Sequence, residues 1–162
     1  MQILITGGTG FIGEKLVRAL RDQNHELVIL SRNEHPDDQP GVRYITDLRQ
    51  LADEAPIGAV VNLAGASMAG ARWSEAYKQQ LLDSRIETTK AVVDLIERLE
   101  VKPEVLVSAS AIGYYGAADD TPLDEQVQAG DGFAAELCRA WEAQAQRVSE
   151  AGVRVCLARH LC

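Results

Sequence analysis

The chain has 162 residues, of which 46% are hydrophobic and 25% are charged, and its formal net charge is −8. These values fit one globular domain with a buried core, and no apolar run approaches the roughly 18 residues that a membrane span requires. The acidic balance argues against nucleic acid as the main partner, because phosphate backbones bind basic surfaces.

Apolar strand patterns and amphipathic helical patterns alternate along the whole chain. Strands are predicted, in chain order, at Gln2–Thr6, Glu26–Leu30, Val42–Thr46, Ala59–Leu63, Val105–Ser108 and Val153–Leu157. Helical spacing is found at Phe11–Asn24, at about Trp73–Leu99 and at Asp131–Ala151. Continuous apolar strands separated by helices predict an α/β fold. We expect one domain over residues 1–162, a doubly wound, mostly parallel sheet (Rossmann fold) with helices on both faces.

A glycine-rich loop connects the first strand to the first helix. The segment Thr6–Gly13 reads TGGTGFIG, which is the GxxGxxG spacing of a dinucleotide-binding loop. Gly7 permits the tight turn, Gly10 allows a pyrophosphate to approach the backbone, and Gly13 allows close helix packing. A glycine-rich turn without a ligand is the alternative, but the strand before the loop and the helix after it favour the binding loop.

The end of the second strand indicates which dinucleotide binds. Domains that bind NAD usually carry an acidic residue there for the ribose 2′-hydroxyl, whereas this chain has Ser31 and Arg32. A guanidinium pairs with the 2′-phosphate of NADP, and the serine adds a hydroxyl donor. The sequence therefore predicts NADP as the cofactor; a solvated Arg32 without a ligand is the alternative.

Two further strand ends complete the predicted cofactor site. Asp47 and Leu48 follow the third strand, where Asp47 would either accept from the adenine amine or cap a helix. Ala64 and Gly65 follow the fourth strand, where small residues leave room for the cofactor. The full predicted set is Gly7, Thr9, Gly10, Phe11, Ile12, Gly13, Ser31, Arg32, Asp47, Leu48, Ala64 and Gly65.

Cysteine and histidine positions give no support to a metal site or to a disulfide framework. The cysteines are Cys138, Cys156 and Cys162, an odd and widely spaced set, and the three histidines stand apart. The N-terminus opens directly into a strand pattern without a signal-peptide pattern. We therefore expect a cytoplasmic protein without a bound metal.

Several longer motifs resemble one protein family. TGGTGFIG and the NLAG segment at 62–65 are typical of the extended short-chain dehydrogenase/reductase superfamily. The segments SASAIGYYG at 108–116 and CRAWE at 138–142 resemble an atypical branch of it, the epimerase-family proteins labelled nucleoside-diphosphate-sugar epimerases. The resemblance runs from Met1 to about Leu157. It implies a Rossmann fold, an NADP cofactor and oxidoreductase or epimerase chemistry on a small or nucleotide-linked substrate.

The chain departs from this family in two ways. Members that resemble it are about twice as long, so we expect the C-terminal substrate domain to be absent from this chain. The residues after Arg159 also differ from the Arg-Thr-Gly run that such proteins usually have. A fragment and the product of an altered reading frame are both left open.

The catalytic residues of the superfamily are only partly present. Its enzymes use a serine, a tyrosine and a lysine four residues after the tyrosine. Ser110 matches the serine, and Tyr114 is our candidate for the tyrosine, with Tyr115 as an alternative. No lysine follows Ser110, and the expected YxxxK position reads Phe133–Leu137. A phenol needs a nearby cation to act near neutral pH, so packing around the nicotinamide pocket is the competing role of both tyrosines.

Two functions therefore stay open at this stage. The first is an NADP-dependent oxidoreductase or nucleotide-sugar epimerase that lacks the YxxxK pair. The second is a non-catalytic NADP-binding module with a regulatory or redox-sensing role. The sequence names no substrate, leaves a homodimer open, and predicts neither a membrane nor a nucleic-acid partner.

Overall fold

Six strands and three α-helices form the fold in the computed structural model, which describes residues 1–33, 39–68, 70–117 and 120–160. The strands are β1 (Gln2–Thr6), β2 (Glu26–Leu30), β3 (Val42–Ile45), β4 (Ile57–Asn62), β5 (Val105–Ala111) and β6 (Arg154–His160). The helices are α1 (Phe11–Asp22), α2 (Glu75–Arg98) and α3 (Phe133–Gln146). Short 3-10 helices lie at Leu48–Gln50, Ile112–Tyr115 and Arg147–Ala151.

The strands form one parallel sheet in the order β3-β2-β1-β4-β5-β6. From β1 the chain adds strands towards one edge of the sheet, up to β3, and from β4 it adds them towards the other edge. The connections therefore leave a crevice at the carboxyl ends of β1 and β4. The predicted fold class is confirmed, and the predicted strands match the observed ones within a few residues. β5 extends three residues beyond the prediction, to Ala111, and β6 extends to His160.

Helices cover both faces of the sheet, as the alternating pattern predicts. On one face, α1 packs Leu16, Val17 and Leu20 against alternate residues of β1, β2 and β3. On the other face, α2 and α3 bury their apolar sides against the opposite set of strand residues, including Leu4, Val28, Val60 and Leu106. Burial of apolar surface on both faces holds the strands in one register.

α2 begins two residues after the predicted start. The periodicity predicts helix from about Trp73, but Ser74 caps the helix by accepting a hydrogen bond from the Tyr77 backbone N–H at 3.2 Å. Trp73 therefore precedes the helix and is 42% exposed, and its ring packs on Phe133 of α3. Trp141 on α3 is buried.

A buried polar network joins the strands at their carboxyl edge. Thr6 and Asn62 are partners in the β1–β4 register, and the Thr6 hydroxyl donates to the Asn62 side-chain oxygen at 2.6 Å. The Asn62 amide donates to Thr89 of α2 at 2.8 Å and to Ser108 of β5 at 3.3 Å. Trp141 of α3 also donates to the Thr89 hydroxyl. These bonds fix the strand ends on which the candidate site is built.

Candidate cofactor groove and active site

The loop after β1 has the geometry that its glycines predict. Gly7 has φ +70°, and a Cβ there would lie 2.8 Å from the Leu63 carbonyl carbon. A Cβ on Gly13 would lie 2.1 Å from the Gly7 oxygen, so this residue allows the helix to pack against the loop. A Cβ on Gly10 would meet only the Gly7 oxygen, at 3.3 Å. The loop therefore needs Gly7 and Gly13 for its own shape, and Gly10 far less.

The N-terminus of α1 is open to a ligand. Gly10 is its N-cap residue and no side chain caps it, while the Glu14 backbone N–H closes the first turn on the Gly10 oxygen at 2.9 Å. The first backbone N–H groups of a helix carry a partial positive charge and bind anions well. A diphosphate fits this cradle.

A groove of about 480 Å³ lies at the crevice between β1 and β4. Seven of the residues predicted from the sequence line it: Gly7, Thr9, Gly10, Ser31, Arg32, Ala64 and Gly65. The sequence did not point to Leu30, Thr46, Leu63, Ala66, Gln80, Ser84 and Thr88, which also line it. Three of these, Gln80, Ser84 and Thr88, come from α2, whose position over the groove depends on tertiary packing.

Arg32 lies on the wall of the groove with its side chain exposed to solvent. No hydrogen bond or ion pair joins it to another residue of the described ranges. Ser31 beside it is buried, and its hydroxyl accepts from the Asn33 backbone N–H at 3.3 Å. A guanidinium at this strand end fits a 2′-phosphate.

Asp47 and Leu48 lie in an adjoining cavity of about 420 Å³ that shares Leu30, Thr46 and Thr88 with the groove. The Asp47 carboxylate caps the following 3-10 helix, accepting from the Arg49 backbone N–H at 2.8 Å. Hydrogen bonds from the Arg49 side chain and backbone lower the pKa of Asp47 to about 2. Of the two roles left open for Asp47, the cap is therefore present. Contact with adenine stays a prediction.

Phe11 and Ile12 lie beside the groove and are not among its lining residues. The Phe11 ring is 82% exposed, and the Lys15 ammonium lies 5.2 Å from its centroid. Their predicted role therefore depends on their backbone N–H groups in the first turn of α1.

The Ser110 hydroxyl is directed to a carboxylate. Ser110 is fully buried and donates to Glu142 Oε1 of α3 at 2.6 Å. Arg159, its neighbour in the β5–β6 register, pairs with the same carboxylate through two hydrogen bonds of 2.8 and 2.9 Å. The two charged side chains are only 9% and 16% exposed. The bonds to Glu142 raise the pKa of Arg159 above its ordinary value.

Both candidate tyrosines contact this same arginine. The Arg159 guanidinium carbon lies 3.5 Å from the centroid of the Tyr114 ring, a close cation–π contact. Its Nη1 donates to the Tyr115 hydroxyl at 3.1 Å. The two rings meet edge to face, with centroids 5.3 Å apart. The structure thus brings Ser110, Tyr114 and a cation into one cluster, although the cation is not the lysine of the superfamily.

The two positions at which the tyrosine and the lysine of YxxxK are expected carry no acid or base. Phe133, in place of the tyrosine, packs edge to face on Trp73 with centroids 5.6 Å apart. Leu137, in place of the lysine, is buried. It lines an apolar cavity of about 250 Å³ together with Trp73, Cys138 and Trp141. This part of α3 is a packing surface.

Sequence reasoning missed Glu142 and Arg159. Glu142 lies inside the CRAWE segment, and Arg159 comes 17 residues later on another element. Their pairing depends on how α3 lies across β6, which periodicity does not predict. The absence of a lysine after Ser110 was the available signal, because it called for a different cation.

The described ranges contain neither a metal-ligand group nor a helix that could span a membrane. Within them, no group of three or more histidine, cysteine, aspartate or glutamate side chains could hold a metal ion. In the same residues, no helix has both the length and the apolar character needed to cross a membrane.

Comparison with known proteins places this arrangement in a family. The model of the NAD dependent epimerase/dehydratase family matches residues 3–160. The chain is 38% identical over 164 residues to epimerase family protein YfhF of Bacillus subtilis, covering 98% of this chain and 54% of that protein. It is 39% identical over 168 residues to the chloroplastic SDR39U1 homolog of Arabidopsis thaliana, covering 98% of this chain and 48% of that protein. The chain thus spans about half the length of these relatives.

A solved structure shows the same fold in a relative. The crystal structure of human epimerase family protein SDR39U1 (isoform 2) with NADPH superposes with a TM-score of 0.84 at 32% identity. The match covers 98% of this chain and 53% of the human one.

We predict that Glu142→Ala destabilises the fold by about 3 kcal/mol, because it leaves the Arg159 charge unpaired in a mostly buried position. Glu97→Ala is the matched control. It removes a carboxylate that pairs with Arg147 at 3.6 Å while both side chains are nearly half exposed, so we expect a loss below about 1 kcal/mol. Urea denaturation measures both. Equal losses in the two variants would contradict a structural role for the buried pair.

Proposed function

Since this chain belongs to the NAD dependent epimerase/dehydratase family, we propose that it binds NADP in the groove between β1 and β4. The single observation that carries the proposal is the exposed Arg32 on the wall of a groove that begins at the open N-terminus of α1. The glycine loop would hold the pyrophosphate, and Arg32 would hold the 2′-phosphate. The human relative crystallised with NADPH supports this choice.

The reaction that we propose for the whole protein is oxidoreduction or epimerisation of a small or nucleotide-linked substrate. A bound nicotinamide supplies reversible hydride transfer in such proteins. In this chain the hydroxyls of Ser110 and Tyr114 are the proposed catalytic groups, held near the Glu142–Arg159 pair. The proposed domain is residues 1–162, with the substrate-binding part of the relatives outside it.

A non-catalytic NADP-binding module is the second candidate function. The buried Leu137 at the lysine position favours it, since no ammonium lies there to hold the nicotinamide ribose. Cytoplasmic location is a further proposal, supported by the odd number and wide spacing of the three cysteines in the sequence. A homodimer and the lack of a nucleic-acid partner stay predictions.

We predict that NADPH binds more tightly than NADH and that Arg32→Ala removes most of the difference. Loss of a hydrogen bond to a charged group corresponds to roughly 1.5–3 kcal/mol, or about 10- to 150-fold in Kd. Calorimetric titration measures the affinity for each dinucleotide. Arg43→Ala is the control for loss of an exposed arginine, on β3. Equal affinities for the two dinucleotides, or an unchanged NADPH affinity in Arg32→Ala, would overturn the assignment.

We predict that Gly10→Val abolishes dinucleotide binding while the chain stays folded. The branched side chain would occupy the space of the pyrophosphate, and its Cβ would meet only one backbone oxygen of the protein. Gly13→Val is the contrast, because its Cβ would overlap the Gly7 backbone and disrupt the loop. Circular dichroism reports the fold and fluorescence titration reports binding. A folded Gly10→Val chain with normal NADPH affinity would show that phosphate binds elsewhere.

We predict that the 162-residue chain does not turn over carbonyl compounds at an appreciable rate. The reason is that the YxxxK position holds Phe133 and Leu137, so the usual proton donor and ribose anchor are replaced by packing residues. The assay follows NADPH oxidation against a panel of aldehydes and ketones. Robust turnover that disappears in Ser110→Ala and Tyr114→Phe would establish a lysine-independent active site and exclude the non-catalytic candidate.

A further inference from the structure

The hydroxyl of Tyr115 is oriented by the arginine beside it. Arg159 Nη1 only donates, so the Tyr115 oxygen accepts that hydrogen bond at 3.1 Å and its own O–H points elsewhere. Within the described ranges no group accepts a hydrogen bond from this O–H. Arg159 itself is held by the two hydrogen bonds to Glu142, by the Tyr114 ring and by the Glu125 carbonyl at 3.4 Å. The free donor is therefore fixed in place.

A large cavity lies beside Tyr115. Tyr115 and Arg159 line an open space of about 830 Å³ beside β6, together with Leu123–Gln126 and Leu157. Its size lies within the range of sites for small molecules. Tyr114, the tyrosine singled out from the sequence, does not line this space.

The charges around the cavity select the class of ligand. The Arg159 charge is balanced by Glu142, which takes two of its hydrogen bonds. The cavity wall also carries the carboxylates of Asp124 and Glu125, which repel anions. A neutral oxygen that accepts a hydrogen bond matches this wall better than a carboxylate or a phosphate.

We propose that the Tyr115 hydroxyl binds the carbonyl oxygen of a neutral ligand in this cavity. The choice of a carbonyl compound rests on the proposed oxidoreductase or epimerase function, whereas the donor and its orientation rest on the geometry alone. The site differs from the NADP groove, with which it shares no lining residue. It assigns substrate contact to Tyr115, the alternative to Tyr114 in the serine–tyrosine–lysine pattern.

The test uses cyclohexanone labelled with ¹³C at its carbonyl and titrated with the full chain. A hydrogen bond deshields the carbonyl carbon, and water already bonds the free ketone, so the ¹³C shifts extrapolated to the bound state are compared between proteins. The titration gives the affinity as well. Tyr115→Phe removes only the hydroxyl, and Tyr44→Phe makes the same change on β3, away from the cavity. NADPH titration of each variant is run in parallel and reports the proposed cofactor site separately.

We expect the same bound-state shift with the wild-type chain and with Tyr44→Phe. With Tyr115→Phe the bound-state resonance should lie upfield of the wild-type value, and the Kd for cyclohexanone should rise about two- to tenfold, as expected for one neutral hydrogen bond. NADPH affinity should be the same in all three proteins. The proposal is overturned if the wild-type chain does not bind the ketone, or if Tyr115→Phe has the wild-type bound-state shift. Loss of NADPH binding by the wild-type chain would refute the cofactor assignment instead.

Discussion

The side chain of Asn62 is the polar centre on which the site depends. It joins β1, β5 and α2 through Thr6, Ser108 and Thr89, and the Trp141 bond to Thr89 extends the network to α3. The Thr6 hydroxyl also accepts from the backbone N–H groups of Leu63 and Ala64 at 3.1 Å, which sets the path of the chain along the groove wall. A buried amide with these partners specifies one strand alignment, because any other would leave polar groups unsatisfied.

The fold and the groove were predictable because each depends on local signals. Apolar runs of strand length, the helical stripe of α1 and the TGGTGFIG loop are all readable within about 15 residues. The glycine loop also explains why Gly7 and Gly10 were placed correctly on the groove wall. Residues such as Ser84 and Thr88 were missed because their contribution depends on how α2 lies over the sheet. The start of α2 was placed at about Trp73 because the cap one residue later, at Ser74, was not recognised.

The cluster of Ser110, Glu142 and Arg159 was much less predictable, because its members are far apart in the sequence. Ser110 was found by its position after β5, but its carboxylate partner comes from α3 and its neighbouring cation from β6. The arginine on β6 places a cation near two phenols. It also places that cation in a buried ion pair, which fixes its position. The chemistry near Tyr115 therefore need not resemble that of a serine–tyrosine–lysine site. The two candidate functions differ in whether this cluster catalyses a reaction.

The central claim is that the groove between β1 and β4 holds NADP with its 2′-phosphate on Arg32. A crystal structure of this chain with NADPH tests it most directly. We predict that the pyrophosphate lies against the first backbone N–H groups of α1 and that the 2′-phosphate lies within hydrogen-bond distance of the Arg32 guanidinium. A dinucleotide bound outside this groove, or one whose 2′-phosphate lies away from Arg32, would contradict it.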